Sequence, residues 1–133
     1  VKIFGCVELF TARFVYHRDM VFNAQTYLVF LEQMARRYYP QPVMLIQDNA
    51  SYHKDANVWK WFSENRKWLE VYNLPPYTPE LNATERLWHY TRITGTHNRY
   101  FATEQELVDT LVSVFHKIQR NPEEITGYLH PFI

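Results

Sequence analysis

Branched and aromatic residues crowd the opening of the chain in two runs, residues 1–9 and 12–17, joined by Phe10 and Thr11; this pattern predicts a β-hairpin. The period changes after Asn23. Tyr27, Phe30, Leu31, Met34, Ala35 and Tyr38 recur at helical spacing, predicting a helix over 24–38 with Asn23 as its cap and Pro40 as its stop. Residues 43–48 are nearly all apolar and too few for a helix, the pattern of a strand buried on both faces as parallel strands usually are. Asp48 closes that run. A second helix is expected over 54–68, presenting Val58, Trp61, Phe62 and Trp68, followed by a strand over 69–74.

Proline then interrupts the pattern. Leu74-Pro75-Pro76-Tyr77-Thr78-Pro79 cannot continue regular structure, because proline lacks an amide donor and restricts the residue before it, so a rigid extended loop is expected up to Asn82. A third helix is expected from there to about Thr94, ahead of Gly95. Thr103-Glu104-Gln105-Glu106 has capping-box spacing and opens a fourth helix with Leu107, Leu111, Val114, Phe115 and Ile118 on one face and Asn121-Pro122 at its end. The remaining tail is aromatic and contains proline, a composition suited to packing. With no repeat, low-complexity stretch or linker, the 133 residues are expected to form a single domain.

Composition narrows the function classes. Four tryptophans, ten tyrosines and nine phenylalanines in a chain that is 47% hydrophobic exclude a solvating or disordered segment. Fourteen basic residues balance fourteen acidic ones, so no global positive field is available to hold nucleic acid by phosphate attraction; such binding must be local or supplied by another region. Cys6 is the single cysteine and has no companions for a disulfide or a zinc site. The expectation is a soluble, cytoplasmic protein with no membrane span. The first residue is valine, inside a predicted strand, and sequence is expected to be missing upstream.

Two carboxylates stand out. Asp48 sits at the carboxyl end of an apolar strand, where open α/β sheets present their chemistry, although an aspartate there can equally serve the turn amides that follow. Glu85 lies in the first turn of the third helix and can either coordinate a ligand or reach back to Asn82 as half of a capping box. His89 and Arg92 follow Glu85 at i+4 and i+7, placing two potential cations on its helix face, to hold phosphates or merely to offset the carboxylate. Leu87 and Trp88 read as core. Arg36-Arg37 and Arg66-Lys67 fall near helix C-termini, where cations are favoured in any case.

The surrounding words are more specific. Asp48-Asn49-Ala50-Ser51-Tyr52-His53, Leu74-Pro75-Pro76-Tyr77-Thr78-Pro79-Glu80-Leu81-Asn82, and then Glu85 and Trp88 resemble the catalytic core of DDE transposases, in particular the bacterial insertion-sequence branch of the mariner-like superfamily. The resemblance runs to about residue 115. It implies an α/β, ribonuclease-H-like mixed sheet flanked by helices, and DNA transposition through strand cleavage and strand transfer by three carboxylates with two Mg²⁺ or Mn²⁺ ions. Asp48 matches the second carboxylate and Glu85 the third, with 36 residues between them. Asn49, His53, His89 and Arg92 fall where DNA contacts or groups supporting the carboxylates are expected. Two hard divalent ions require oxygen ligands and stabilise both the attacking and the leaving oxygen of an in-line phosphodiester displacement, which accounts for the residue types.

The chain departs from the family pattern at its start. The strand that carries the family's first aspartate, the centre of its sheet, precedes the hairpin and is absent, as is the helix-turn-helix region that binds DNA. By that pattern this is a C-terminal fragment, inactive by itself. Glu8 is the acidic residue of the opening strand and a candidate substitute ligand, with a surface-facing glutamate as the plain alternative. The vacant sheet position is expected to be filled by pairing of the first strand with 43–48 or by a strand of another copy, since unpaired buried backbone groups are costly. The implied partners are transposon-end DNA, a second copy in a homodimer, and a separate N-terminal polypeptide. The alternative function is that of a catalytically silent remnant serving as a dimerising or interaction module.

Overall fold

The computed structural model describes residues 2–9, 11–48, 50–74, 82–96, 99–124, 126 and 129. The architecture is mixed α/β: β1 (Lys2–Val7), β2 (Phe14–Asp19), α1 (Ala24–Tyr38), β3 (Val43–Gln47), α2 (Ala56–Glu64), β4 (Leu69–Asn73), α3 (Ala83–Thr91) and α4 (Glu104–Arg120). The described strands form two two-stranded sheets, β1 with β2 and β3 with β4. The chain divides into two compact units, one of residues 2–4 and 16–82, the other of residues 5–15 and 83 onward. The hairpin strands contribute to both.

In the first unit, α1 spans the predicted residues. Asn23 accepts a hydrogen bond from Thr26 N at 2.9 Å while its own amide donates to Thr26 Oγ1 at 3.0 Å, a reciprocal cap that satisfies donors the first turn leaves free. Arg36 and Arg37 lie in the last turn, against the negative end of the helix dipole. Tyr27, Phe30, Leu31 and Met34 form its buried face, as the spacing predicts. The parallel pair β3 and β4 runs in register from Val43 opposite Leu69 to Gln47 opposite Asn73. A parallel pair needs a crossover, and α2 supplies it, capped by Asp55, whose carboxylate accepts from Asn57 N at 2.8 Å. α2 is shorter than the periodicity predicts. Residues 51–54 form a separate 3₁₀ turn, and Trp68 is buried beyond the helix, just ahead of β4.

β3 departs from expectation. It is not buried on both faces: Met44 and Ile46 are exposed, opposite Glu70 and Tyr72 of β4, which are exposed too. Nor is it paired with β1, so among the described strands its second edge has no partner.

In the second unit, Ala12, Phe14, Val15, Leu87, Val108, Val114, Phe115, Ile118 and Leu129 are buried. The hairpin connection is wider than two residues. Glu8 N donates to Arg13 O and Ala12 N to Glu8 O, and Ala12 takes φ 59°, so Ala12 belongs to the turn and β2 begins at Phe14. Phe10 lies outside the described residues. α4 opens at Thr103, whose hydroxyl accepts from Glu106 N at 3.1 Å, while Glu106 reaches back one residue further than a standard box, to Ala102 N. Its buried face uses Val108 where the periodicity indicated Leu107. α3 ends at Thr91 and passes into a π-helical turn, Arg92–Thr96, in which Gly95 is buried against α4.

Of the two residues read as core, Leu87 is buried and Trp88 is half-buried, packing with part of its ring. Its ring lies 5.7 Å from that of Phe115, and a Cβ placed on Gly5 would meet two of its ring atoms at 2.7 and 2.8 Å. Gly5 is therefore required for close approach rather than for backbone freedom. Gly5→Ala is expected to lower stability by about 1–3 kcal/mol, the usual cost of overpacking, and a smaller ring in the double variant with Trp88→Phe should restore part of it. Urea unfolding of the two variants beside the parent measures both effects.

Candidate functional site

Asp48 follows directly on the last residue of β3 and is half-exposed. Its Oδ1 accepts a hydrogen bond from Ala50 N at 3.0 Å, the turn-amide contact anticipated for a strand-end aspartate. The same oxygen lies 2.9 Å from His53 Nδ1, which is also 2.9 Å from the Asp48 carbonyl. Both neighbours of that nitrogen are acceptors, so Nδ1 carries the proton and donates to them. Among the described residues nothing bonds Oδ2. The carboxyl is held below the ordinary aspartate range, first by the His53 hydrogen bond and then by the Ala50 amide, with partial burial opposing. Asp48 is thus a fixed anion with one oxygen committed and one available.

The support behind it is a buried polar network. Gln47 interrupts an otherwise apolar strand and is buried; its Oε1 accepts from the Tyr27 hydroxyl at 2.6 Å and its Nε2 donates to Asn73 Oδ1 at 2.7 Å. These bonds tie the carboxyl ends of β3 and β4 to α1. The His53 ring is buried between Tyr27, at 4.4 Å, and Tyr52, at 4.5 Å edge-on. None of Tyr27, Gln47 and Asn73 was a candidate from the sequence. The available signal was one amide side chain in an apolar strand, immediately before the aspartate.

The other candidates lie in the second unit, except Asn49, which is outside the described residues together with the loop containing Pro75, Pro76 and Pro79. Glu85 is in the first turn of α3, half-buried, and makes no hydrogen bond among the described residues, so it does not reach back to Asn82. An acid there still benefits from the positive helix end. His89 is exposed, and Arg92 is exposed where the π-helical turn begins. Glu8 lies in the hairpin turn just beyond β1, with its backbone N–H and carbonyl both committed to that turn. Among the described residues no group of three or more His, Cys, Asp or Glu side chains is assembled for a metal ion. No helix among them is long and apolar enough to cross a membrane.

The model of the family described as DDE superfamily endonuclease matches residues 1–108 of the chain. An "Insertion element IS630 uncharacterized 39 kDa protein" from Shigella sonnei is 35% identical over 66 residues, which cover 50% of this chain. The match spans 19% of that protein's length.

Two outcomes test this local structure. Tyr27→Phe leaves Gln47 Oε1 buried without a donor and is expected to cost about 1–3 kcal/mol in urea unfolding at neutral pH. Because the Asp48 carboxyl is depressed in the fold, the stability it adds is complete above the pH at which an unfolded aspartate ionises and is lost as pH falls through its low folded value. Asp48→Asn should therefore flatten the acid limb of a stability-against-pH curve; an unchanged limb would remove the His53 bond as a source of stability.

Proposed function

The chain belongs to the DDE superfamily endonucleases, and from that premise we propose that it is part of a ribonuclease-H-like transposase core whose complete protein cleaves and rejoins DNA with Mg²⁺ or Mn²⁺. Its 133 residues make up one partial domain in this reading, acting on transposon-end DNA in the bacterial cytoplasm as a homodimer. The observation that carries the proposal is Asp48: a carboxylate at the carboxyl end of a parallel strand, one oxygen fixed by His53 and Ala50, the other unbonded among the described residues.

The donor chemistry suits the ions. Asp48 and Glu85 are hard oxygen donors of the kind Mg²⁺ and Mn²⁺ select, and Asp48 is ionised well into acid. They supply two of the three carboxylates the family uses; the third is an aspartate on a strand outside these residues or, in its place, Glu8. When bound, the ions supply Lewis-acid stabilisation of the attacking and leaving oxygens. His53 keeps the Asp48 carboxylate from rotating, and Gln47, Tyr27 and Asn73 hold the strand end on which it stands. Arg92 offers an exposed guanidinium and His89 an exposed imidazole for DNA phosphates, and Asn49 neighbours Asp48 in sequence.

The edge of β3 that has no partner among the described strands supports a strand supplied from elsewhere. Val43-Met44-Leu45-Ile46-Gln47 carries no proline and no charge, the devices by which soluble proteins blunt a permanent edge. A separate N-terminal polypeptide, or upstream sequence of the same one, is the proposed source.

The experiment uses the chain with and without the upstream region of its complete protein, incubated with Mn²⁺ and labelled transposon-end duplex. Nicking and end-joining are expected with that region present, and Asp48→Asn or Glu85→Gln should each lower the rate at least about a hundredfold, the size of losing several kcal/mol of charge stabilisation. Full activity in either variant would overturn the assignment. Absence of both nicking and Mn²⁺ binding in the joined protein would favour the silent interaction module.

A further inference from the structure

The loop between β2 and α1 exposes three apolar side chains in a row. Met20 is 81% exposed, Val21 47% and Phe22 39%. They do not stand on a slack segment. Asp19 accepts from Met20 N at 2.8 Å through Oδ1 and lies 3.1 Å from His17 Nε2 through Oδ2, the Thr26 hydroxyl donates to Val21 O at 2.9 Å, and the α1 capping box follows at once. The hydrogen bonds therefore fix a loop whose apolar side chains are turned to water. This arrangement spends ordering entropy without burying the surface it orders, which is the mark of a surface organised for a partner.

Its neighbours indicate which partner. The Phe22 ring packs edge-on against buried Phe4 at 4.7 Å and lies 5.9 Å from the Tyr52 ring at an interplanar angle of 34°. Lys2 Nζ stands 5.6 Å from the Phe22 ring centroid. Tyr52 in turn meets the His53 ring, and His53 bonds Asp48. A continuous row thus leads from an exposed ring with a cation beside it to the candidate catalytic carboxylate. Flat apolar surface plus an ammonium is what an unpaired nucleic-acid base and its phosphate require, because stacking accepts any base and the cation offsets the backbone charge. The Asp19 carboxylate, bonded to Met20 N and His17 Nε2 within the loop, keeps its charge and sets how near a phosphate can come on that side.

We infer that Met20, Phe22 and Tyr52, with Lys2, form a stacking platform for one unpaired nucleotide of a single-stranded or unwound DNA end, beside Asp48. This rests on the proposed DNA-cleaving function for its substrate class. It adds a subsite that holds a base, distinct from the carboxylates that would hold metal.

Nuclear magnetic resonance of the labelled chain, titrated with a short oligothymidylate and separately with Mn²⁺, tests the two readings independently. Upfield shifts of the Met20 methyl and the Phe22 and Tyr52 ring signals are expected. Phe22→Leu, which keeps apolar volume against Phe4 but removes the flat ring, should weaken binding at least about fivefold, toward the lower end of base–aromatic stacking. Met20→Ser, at a side chain with little packing, should weaken it in the same direction. Shifts confined to the exposed rings of Trp59 or Tyr100 would overturn the platform while leaving DNA binding in place. Shifts of residues 20–22 with protein concentration alone would assign the surface to a second copy and overturn the base-binding role, and no shift anywhere would overturn it as well. Paramagnetic broadening at Asp48 by Mn²⁺ reports on the metal reading whichever of these results is obtained.

Discussion

Gln47 sets the constraint on which the first unit depends. A buried amide must have both its donor and its acceptor satisfied, and here the partners come from two different elements, the Tyr27 hydroxyl on α1 and the Asn73 side chain on β4. Sliding α1 by a turn, or slipping the β3–β4 register by one residue, would leave the amide half-bonded in an apolar surrounding. The register is accordingly specified by polar satisfaction as well as by the hydrophobic pattern. Asp48 is the next residue, and its position inherits that precision. His53 adds the last restraint, because a ring held between Tyr27 and Tyr52 can donate to the Asp48 carboxylate from one direction only.

Features that depend on local chemistry were legible in the sequence. The span of α1, its Asn23 cap and its buried face follow from side-chain spacing and one capping residue, and the Thr103 cap of α4 is equally local. What failed was what depends on tertiary surroundings. An apolar run such as 43–47 indicates a strand but not its neighbours, so Met44 and Ile46 were expected to be buried and are exposed. The hairpin connection widened because Ala12 adopts a left-handed conformation that no glycine advertised. At the candidate site, Asp48 and Glu85 could be picked out as residue types in a motif. The bond from His53 and the support from Tyr27 could not, because the latter lies 20 residues from Gln47 and its spacing had already marked it as ordinary helix core.

The β3–β4 pair has one exposed face and, among the described strands, an unpaired edge at β3. α2 packs on β4 and Tyr27 of α1 bonds Gln47, so the pair is covered on the Gln47 face and exposed on the other. Alternation within β3 makes this visible. Gln47 is buried and Val43 and Leu45 are half-buried, while Met44 and Ile46, as apolar as their neighbours, meet water. A strand that was meant to remain at an edge would be expected to carry lysine or proline on that side. The run Val43–Gln47 carries neither, so its composition is that of a strand in the middle of a sheet rather than at an edge.

The two candidate carboxylates also differ in how much organisation they already possess, and this decides where a cation's binding energy would go. Asp48 is restrained by two hydrogen bonds to one oxygen, so little side-chain freedom remains to be lost when Oδ2 takes a ligand. Glu85 has a longer side chain and no hydrogen bond among the described residues, and fixing it would cost up to roughly 2 kcal/mol of rotamer entropy. Its position in the first turn of α3 offsets part of that cost through the helix dipole, which favours the charge but does not fix its direction. Taken each by itself as a proposed ligand, Asp48 is already oriented by its own unit and Glu85 has still to be ordered in its own.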